Sequence, residues 1–300
     1  MSLPLVTIGA INYNNSKYIV DTLNSIQSQS YPNIYLLILD DCSTDNSISL
    51  IEKWLINYTK PYKFIKHNVN KGVCVSCNTF LDNIAGKYVS LIATDDIMMP
   101  DKIQKQVEML ENIDDDVCGV YSDAFLIQED GGPIDNTLIQ KFWKYDYIPS
   151  GKIFEDLLKD NFIGDLTMLV KTNCYKEIGK YDESLKFEDY DMLLRLSYKY
   201  KILFSDYVSA KYRIRSNSLS STSHTWNPDR VKIYSKHIDH SPIAIKQIES
   251  IAVGSFYSNE QEVLPLLIPI KKRTKKLKLI VFFWGLRLPK IIRRVLLKLL

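Results

Sequence analysis

Over the first 125 residues the hydrophobic pattern alternates between two periods. Apolar, partly β-branched runs at 5–11, 34–39, 62–65, 88–92 and 117–121 predict strands. The intervening segments 18–26, 48–56, 73–84 and 103–110 carry a helical period. In the first of them Ile19, Leu23 and Ile26 fall at i, i+4 and i+7, on one helix face. Strand–helix repetition of this kind predicts an α/β fold: a mostly parallel central sheet flanked by helices. Ligands of such sheets bind outside the carboxyl ends of the strands.

After about residue 125 the pattern loosens. Residues 128–149 hold Gly131-Gly132-Pro133 and few periodic apolar positions, and read as a long loop. A helix is expected near 153–158, a strand near 166–170, a short helix near 173–178 and an amphipathic helix over 189–198. A strand pair near 202–213 follows. Residues 216–227 are rich in Ser, Asn and Thr and read as a loop, whereas 228–265 read as helical. No internal repeat is evident.

Polar residues gather where the first strands end: Asn12-Tyr13-Asn14, Asp40-Asp41 and Asp95-Asp96. Each has a plain reading and a chemical one. Asp40-Asp41-Cys42-Ser43-Thr44-Asp45 could cap a helix, or present a carboxylate to a base or ribose hydroxyl. Asn70-Lys71-Gly72 precedes a helix whose N–H groups would suit phosphate. Asp95 and Asp96 could cap a helix, or hold Mg²⁺ or Mn²⁺, which favour one or two carboxylates plus phosphate oxygens. Phe187-Glu188-Asp189-Tyr190-Asp191 opens a helix; its acids could complement the dipole, or one could act as a general base. There is neither a GxGxxG nor a GxxxxGK[ST] motif, so the dinucleotide-fingerprint and P-loop classes lose support.

Composition adds one asymmetry. The 300 residues carry a formal net charge of +3, yet all eleven Lys and Arg from Lys271 onward occur without an acid. The first 270 residues hold 27 basic and 35 acidic residues, a net of −8. Five cysteines, an odd number with no secretory signal, read as reduced and intracellular. Cys74-Val-Ser-Cys77 has no second pair and reads as structural. The four histidines (67, 224, 237, 240) show no ligand spacing; His237 and His240 read as surface residues. The opening MSLPLVTIGAINYNN has no basic n-region and reads as a first strand.

In order along the chain, VTIGAINYNN, TLNSIQSQSYPN, LLILDDCSTDNS, NVNKGVCVSCNTFLDNIAGKYVSLIATDD, MMPDKIQKQ, GKYDESLKFEDYDMLLRLS and YRIRSNSLS resemble the family 2 inverting glycosyltransferases of GT-A fold. The resemblance covers residues 4–220. It implies a GT-A catalytic domain over 1–220, with a nucleotide-binding half (1–98) and an acceptor half (99–220). A helical extension (221–265) and a tail (266–300) would follow. It implies that Asp41 contacts the base of the donor, a UDP-sugar, with Asn14 and Asp40 near by. Asn70, Gly72, Asn78 and Asp95 would complete the donor side. Asp95 and Asp96 stand where the family places its metal and diphosphate motif. Asp189 stands at the catalytic base, and Glu188 and Arg215 near the acceptor or diphosphate. The implied reaction moves a hexose, with inversion, to a hydroxyl of a glycan or lipid-linked glycan in surface polysaccharide biosynthesis. Three positions depart from the family pattern: Ala93 where a first acid is frequent, Cys77 where Arg often precedes Asn78, and Arg215 where His is common.

The tail carries KKRTKK (271–276) and then LKLIVFFWGLRLPKIIRRVLLKLL. In a helix after Pro289, Lys290, Arg293, Arg294 and Lys298 would share one face. Ile291, Ile292, Val295, Leu296, Leu299 and Leu300 would occupy the other. This is the pattern of a basic amphipathic helix lying in a membrane interface. Phe282, Phe283 and Trp284 favour a membrane surface over nucleic acid as the partner of residues 271–300. The expected location is cytoplasmic, peripheral on the inner face of the cell membrane. Two rivals stand beside the transferase: a catalytically silent sugar-nucleotide binder or scaffold, and a nucleotidyltransferase. The latter needs a basic Gly-rich loop after the first strand, and no Lys or Arg occurs there before Lys17.

Overall fold

The computed structural model describes residues 3–216, 218, 226–286 and 289–296. His224, Arg287, Lys298, Leu299 and Leu300 lie outside the described residues, as do the side chains of Lys290, Ile291 and Arg294. The chain divides into two compact units, Met1–Arg215 and Ser216–Leu300.

The first unit begins β1 (Val6–Asn12), α1 (Ile19–Gln27), β2 (Ile34–Asp40), α2 (Ser47–Leu55), β3 (Tyr62–Lys66), α3 (Val73–Leu81) and β4 (Tyr88–Ala93). Strands β3, β2, β1 and β4 lie side by side and parallel. Residues of β1, β2 and β4 are almost all buried, which is why they read as unbroken apolar runs. Gly9 lets helix α3 approach: a Cβ there would stand 2.2 Å from the Phe80 ring. Phe80 is fully buried, and truncating such a ring typically costs about 3–5 kcal/mol.

Then come β5 (Ile97–Met98), α4 (Lys102–Glu111), β6 (Val117–Ile127), β7 (Pro133–Thr137), α5 (Leu138–Phe142), α6 (Phe154–Lys159), β8 (Leu169–Lys171), α7 (Thr172–Ile178), α8 (Asp189–Lys199) and β9 (Lys201–Arg213). Strand β8 runs antiparallel to β4 and extends the sheet to β6, β9 and β5. Two expectations change here. The long loop contains β7 and α5, started by a capping box in which Thr137 and Gln140 satisfy each other's backbone N–H groups. The expected strand pair is a single strand, β9, which follows β6 in parallel across two irregularities in register.

Register aligns the carboxyl ends of the parallel strands. Asn12 pairs with Asp40, Asp40 with Lys66, and Ile11 with Ala93. The polar residues following β1, β2 and β4 therefore emerge along one edge of the sheet.

The second unit holds α9 (Asn227–Ser235), α10 (Pro242–Ser258), α11 (Leu264–Leu267), α12 (Lys275–Gly285) and α13 (Lys290–Leu296). Leu277, Ile280 and Trp284 form the buried face of α12, and Trp284 meets the Phe256 ring of α10 at 5.7 Å. Arg293, expected on an outward basic face, is buried instead. Its Nη1 donates to the Phe256 carbonyl at 2.9 Å, in the last turn of α10, where helix carbonyls lack intrahelical donors. His237, expected on the surface, is buried, while His240 is exposed. Among the described residues no helix is long and apolar enough to cross a membrane.

Candidate active site

Asn12, at the end of β1, ties the three strand ends together. Its Nδ2 donates to Asp40 Oδ2 (2.6 Å) and Ser43 Oγ (3.0 Å), and its Oδ1 accepts from Thr94 Oγ1 (2.6 Å). Asp40 is fully buried and also accepts from the Ser43 N–H and hydroxyl, both at 2.7 Å. Asn14, in the left-handed region at φ 52°, accepts from the Thr44 N–H at 2.8 Å. Asp40 and Asn14 thus shape the turn after β2.

Asp41 turns to the next loop. Its carboxylate accepts from the His67 ring at 2.7 Å and from the N–H groups of Lys71 (3.0 Å) and Gly72 (2.8 Å). Asn70 Oδ1 accepts from the Gly72 N–H as well, at 3.0 Å. Gly72 holds φ +85°, which glycine adopts without strain. Asp41, an anion already built into the chain, thus engages the two N–H groups just before α3 (Val73–Leu81). Asn78 is likewise committed: its Nδ2 donates to the Tyr181 carbonyl (3.0 Å) and Glu183 Oε1 (2.8 Å), and its Oδ1 accepts from the Tyr181 N–H (2.8 Å). It is buried and braces α3 against residues 181–183. Cys74 extends that brace, its thiol donating to the Leu185 carbonyl. Burial pushes that thiol up to about 12, in keeping with a structural role.

Asp95 and Asp96 follow β4 and differ sharply. Asp95 is partly exposed and its Oδ2 takes Arg215 Nη1 at 2.7 Å. Asp96 is buried; its Oδ1 accepts from the Arg213 N–H at 2.8 Å, and its carbonyl from Thr22 Oγ1 at 2.6 Å. Burial, then the charge of Asp95, lifts the Asp96 carboxyl well above the usual range, against the pull of Arg213 and Arg215. Arg213 donates to the carbonyls of Asp95 and Glu129 and, with Arg215, lies over the Tyr18 ring. The sequence reading did not single out Arg213, although it sits two residues before Arg215 at the end of β9. Among the described residues no group of three or more His, Cys, Asp or Glu side chains could hold a metal ion by itself. Two adjacent carboxylates fit a hard divalent cation only where it takes its remaining ligands from phosphate or water.

Asp189 opens α8, with Glu188 at its N-cap. Both are half-buried. Burial raises the Asp189 carboxyl, opposed by the Tyr190 N–H that donates to its Oδ1 at 2.7 Å. Glu188 is pushed up to about 8 by burial, then by Asp189 and Asp165. Asp165, in a single 3-10 turn (Asp165–Thr167), is pushed up to about 7 by burial and then by Asp189, against Lys102. Three carboxyl groups thus share a half-buried region and compete for ionisation. Asp165 was missed because a lone acid in NFIGDLTMLV has no local partner in sequence; its apolar flanks were the one available signal. The buried Lys102 opposing it donates to Ser90 Oγ, Gln106 Oε1 and the Met168 carbonyl.

The model of the Glycosyl transferase family 2 matches residues 7–171. Among curated proteins, the putative teichuronic acid biosynthesis glycosyltransferase TuaG of Bacillus subtilis is 27% identical over 218 residues, covering 73% of this chain and 82% of that protein. An uncharacterized glycosyltransferase of Haemophilus influenzae is 30% identical over 269 residues, covering 85% of this chain and 80% of that protein. Among solved structures, residues 1–349 of S. aureus TarS in complex with UDP-GlcNAc superpose with a TM-score of 0.66 at 16% identity, covering 92% of this chain and 84% of that one. The mannosyltransferase PcManGT of Pyrobaculum calidifontis, in complex with GDP-Man and Mn2+, superposes with a TM-score of 0.63 at 14% identity, covering 99% and 84%.

Proposed function

The chain belongs to glycosyl transferase family 2, and from that premise we propose that it transfers a hexose from a nucleoside-diphosphate sugar to a hydroxyl of a glycan or lipid-linked glycan, inverting the anomeric centre. The observation that carries this reading is the position of Asp189 in the first turn of α8, next to Glu188 at the N-cap, with its proton affinity raised by burial. A carboxylate so placed is a better proton acceptor than one in water.

In the proposed step Asp189 takes the proton of the acceptor hydroxyl. The freed oxygen pair forms the new bond to the anomeric carbon. The bond from that carbon to the diphosphate breaks, and its electrons leave with the nucleoside diphosphate. Asp95 and Asp96 would hold Mg²⁺ or Mn²⁺, which supplies Lewis-acid neutralisation of the diphosphate when bound. Arg215 adds a fixed positive charge at the same carboxylates. Asp40 and Asn14 shape the loop on which the nucleotide would rest, and Asp41 with His67 fastens the neighbouring one.

A UDP-sugar is the proposed donor, and TarS crystallised with UDP-GlcNAc supports a nucleotide-sugar of this kind. The name of TuaG supports a role in surface polysaccharide assembly. We further place the enzyme on the inner face of the cell membrane, through the second unit. Leu279 and Phe282 of α12, and Leu286 just after it, are exposed and close in sequence to the basic run 271–278. Flotation with anionic vesicles tests this: removal of 271–300 abolishes binding if the proposal holds. The transferase reading is tested by nucleoside-diphosphate release from a panel of UDP-, GDP- and dTDP-sugars. The product's anomeric configuration, read by NMR, decides inversion.

A further inference from the structure

The segment that the hydrophobic pattern assigns to a long loop carries an exposed aromatic cluster. Tyr145 and Tyr147 are 47% and 48% exposed, and Phe142 is 42% exposed. The two tyrosines pack on Trp143, which is buried and meets Tyr145 at 4.5 Å and Tyr147 at 5.7 Å between ring centroids. Exposed large rings that cluster and are rimmed by polar residues mark an interaction site.

This segment is held firmly. The Trp143 indole donates to the Tyr147 carbonyl, and Tyr147 Oη donates to Asp156 Oδ1 at 2.6 Å. Tyr121 Oη donates to the Pro149 carbonyl, and Gly151 bridges to Ile202. The rings are therefore pre-organised, which lowers the entropy lost on binding.

Two connections lead from the cluster to the acid group. Trp143 packs on Phe162 at 4.5 Å, and Phe162 stands three residues before Asp165. A three-residue step reaches at most about 11 Å. Asp156, which holds Tyr147, neighbours Leu157, whose carbonyl accepts from Tyr190 Oη at 2.7 Å; Tyr190 directly follows Asp189. Asn161, beside Phe162, has a buried Oδ1 with no hydrogen-bond partner among the described residues.

We propose that Tyr145 and Tyr147, backed by Trp143, are a stacking platform for the saccharide chain of the acceptor. The proposal rests on the transferase reading for the word acceptor and on the ring geometry for saccharide binding. A pyranose presents C–H bonds on one face and hydroxyls around its rim. The C–H face meets the negative face of an aromatic ring, and the hydroxyls meet charged groups. Such groups lie at the cluster: Asp156 accepts from Tyr147 Oη and Lys159 Nζ stands 5.7 Å from the Tyr145 ring, while the exposed Lys144 and Asp146 alternate with the rings in sequence. That polar rim suits a hydroxylated chain rather than a dry protein contact.

The test is saturation-transfer NMR of the full-length protein with three probes: chitotetraose, maltotetraose and a hexuronic-acid tetrasaccharide. Binding of at least one is expected. It should weaken about tenfold or more in Tyr145→Ala/Tyr147→Ala and persist in Tyr145→Phe, which keeps both rings and the Tyr147–Asp156 bond. Circular dichroism establishes that the variants are folded. In turnover, the double Ala variant should raise the half-saturating acceptor concentration and leave acceptor-free hydrolysis of the donor unchanged. Absence of binding to all three saccharides, or equal binding by the Ala variant, overturns the platform. So does concentration-dependent self-association that the Ala variant abolishes without any saccharide binding. Saccharide binding by a protein that cleaves no donor would leave the platform standing and remove the transferase reading instead.

Discussion

Arg215 Nη1 stands 2.7 Å from Asp95 Oδ2, so the acidic pair after β4 already holds a cation of the chain's own. The ion pair is largely buried, and its neighbour Asp96 keeps a raised proton affinity in spite of it. If Asp95 holds the divalent ion as proposed, Arg215 would compete with it before the donor arrives. Replacing Arg215 by Ala should tighten Mn²⁺ binding to the donor-free protein by roughly 10- to 100-fold, the worth of a charged hydrogen bond. Titration calorimetry measures this. Unchanged or weaker Mn²⁺ binding would show that the arginine and the ion do not share Asp95.

Asp165 sets a pH dependence. In the folded state it holds its proton up to about 7, and Glu188 up to about 8. In the unfolded chain both ionise near 4. Between those limits the native state binds more protons, so this contribution to stability is present at pH 4 and is lost as pH rises toward 8. Asp165→Asn removes part of the penalty. Its Tm should exceed that of wild type by roughly 2–4 °C at pH 8 and by little at pH 4. The acid limb of its kcat/KM profile should move to lower pH, because Asp165 no longer raises Glu188 beside the base. A limb that stays in place would separate Asp165 from the base.

Asn78 tests the difference between a brace and a ligand. Its amide spends three hydrogen bonds on Tyr181 and Glu183 while buried. Asn78→Ala leaves the Tyr181 N–H and carbonyl without those partners and should lower unfolding stability by about 2–4 kcal/mol in urea. Donor KM should stay near the wild-type value. A large rise in donor KM with intact stability would return Asn78 to the donor surface.

Strands β1, β2 and β4 were legible because each is a buried parallel strand, and burial on both faces writes an unbroken apolar run, whereas β3 is an edge strand with exposed and half-buried residues. The Asp95-Asp96 pair was legible for the same reason: two acids that end such a run stand out. Other features depend on residues far apart in sequence. His67 reaches Asp41 across 26 residues, and Arg215 reaches Asp95 across 120. No local pattern encodes either pairing. Helix α5 was hidden by its length of five residues, although its Thr137–Gln140 capping box was readable. Arg293 was read as outward because helical periodicity gives a face without saying which neighbour covers it. The Phe256 carbonyl that receives it comes from another helix.

The central claim is that Asp189 removes the acceptor proton. It is tested most directly by nucleoside-diphosphate release with acceptor present, comparing wild type with Asp189→Asn. The amide keeps the size of the side chain and cannot take the proton. Loss of a general base typically costs about 10²–10⁴-fold in rate. The account predicts a fall in kcat of that order with donor affinity preserved and a wild-type melting profile. Turnover within a few-fold of wild type in the folded variant would contradict it.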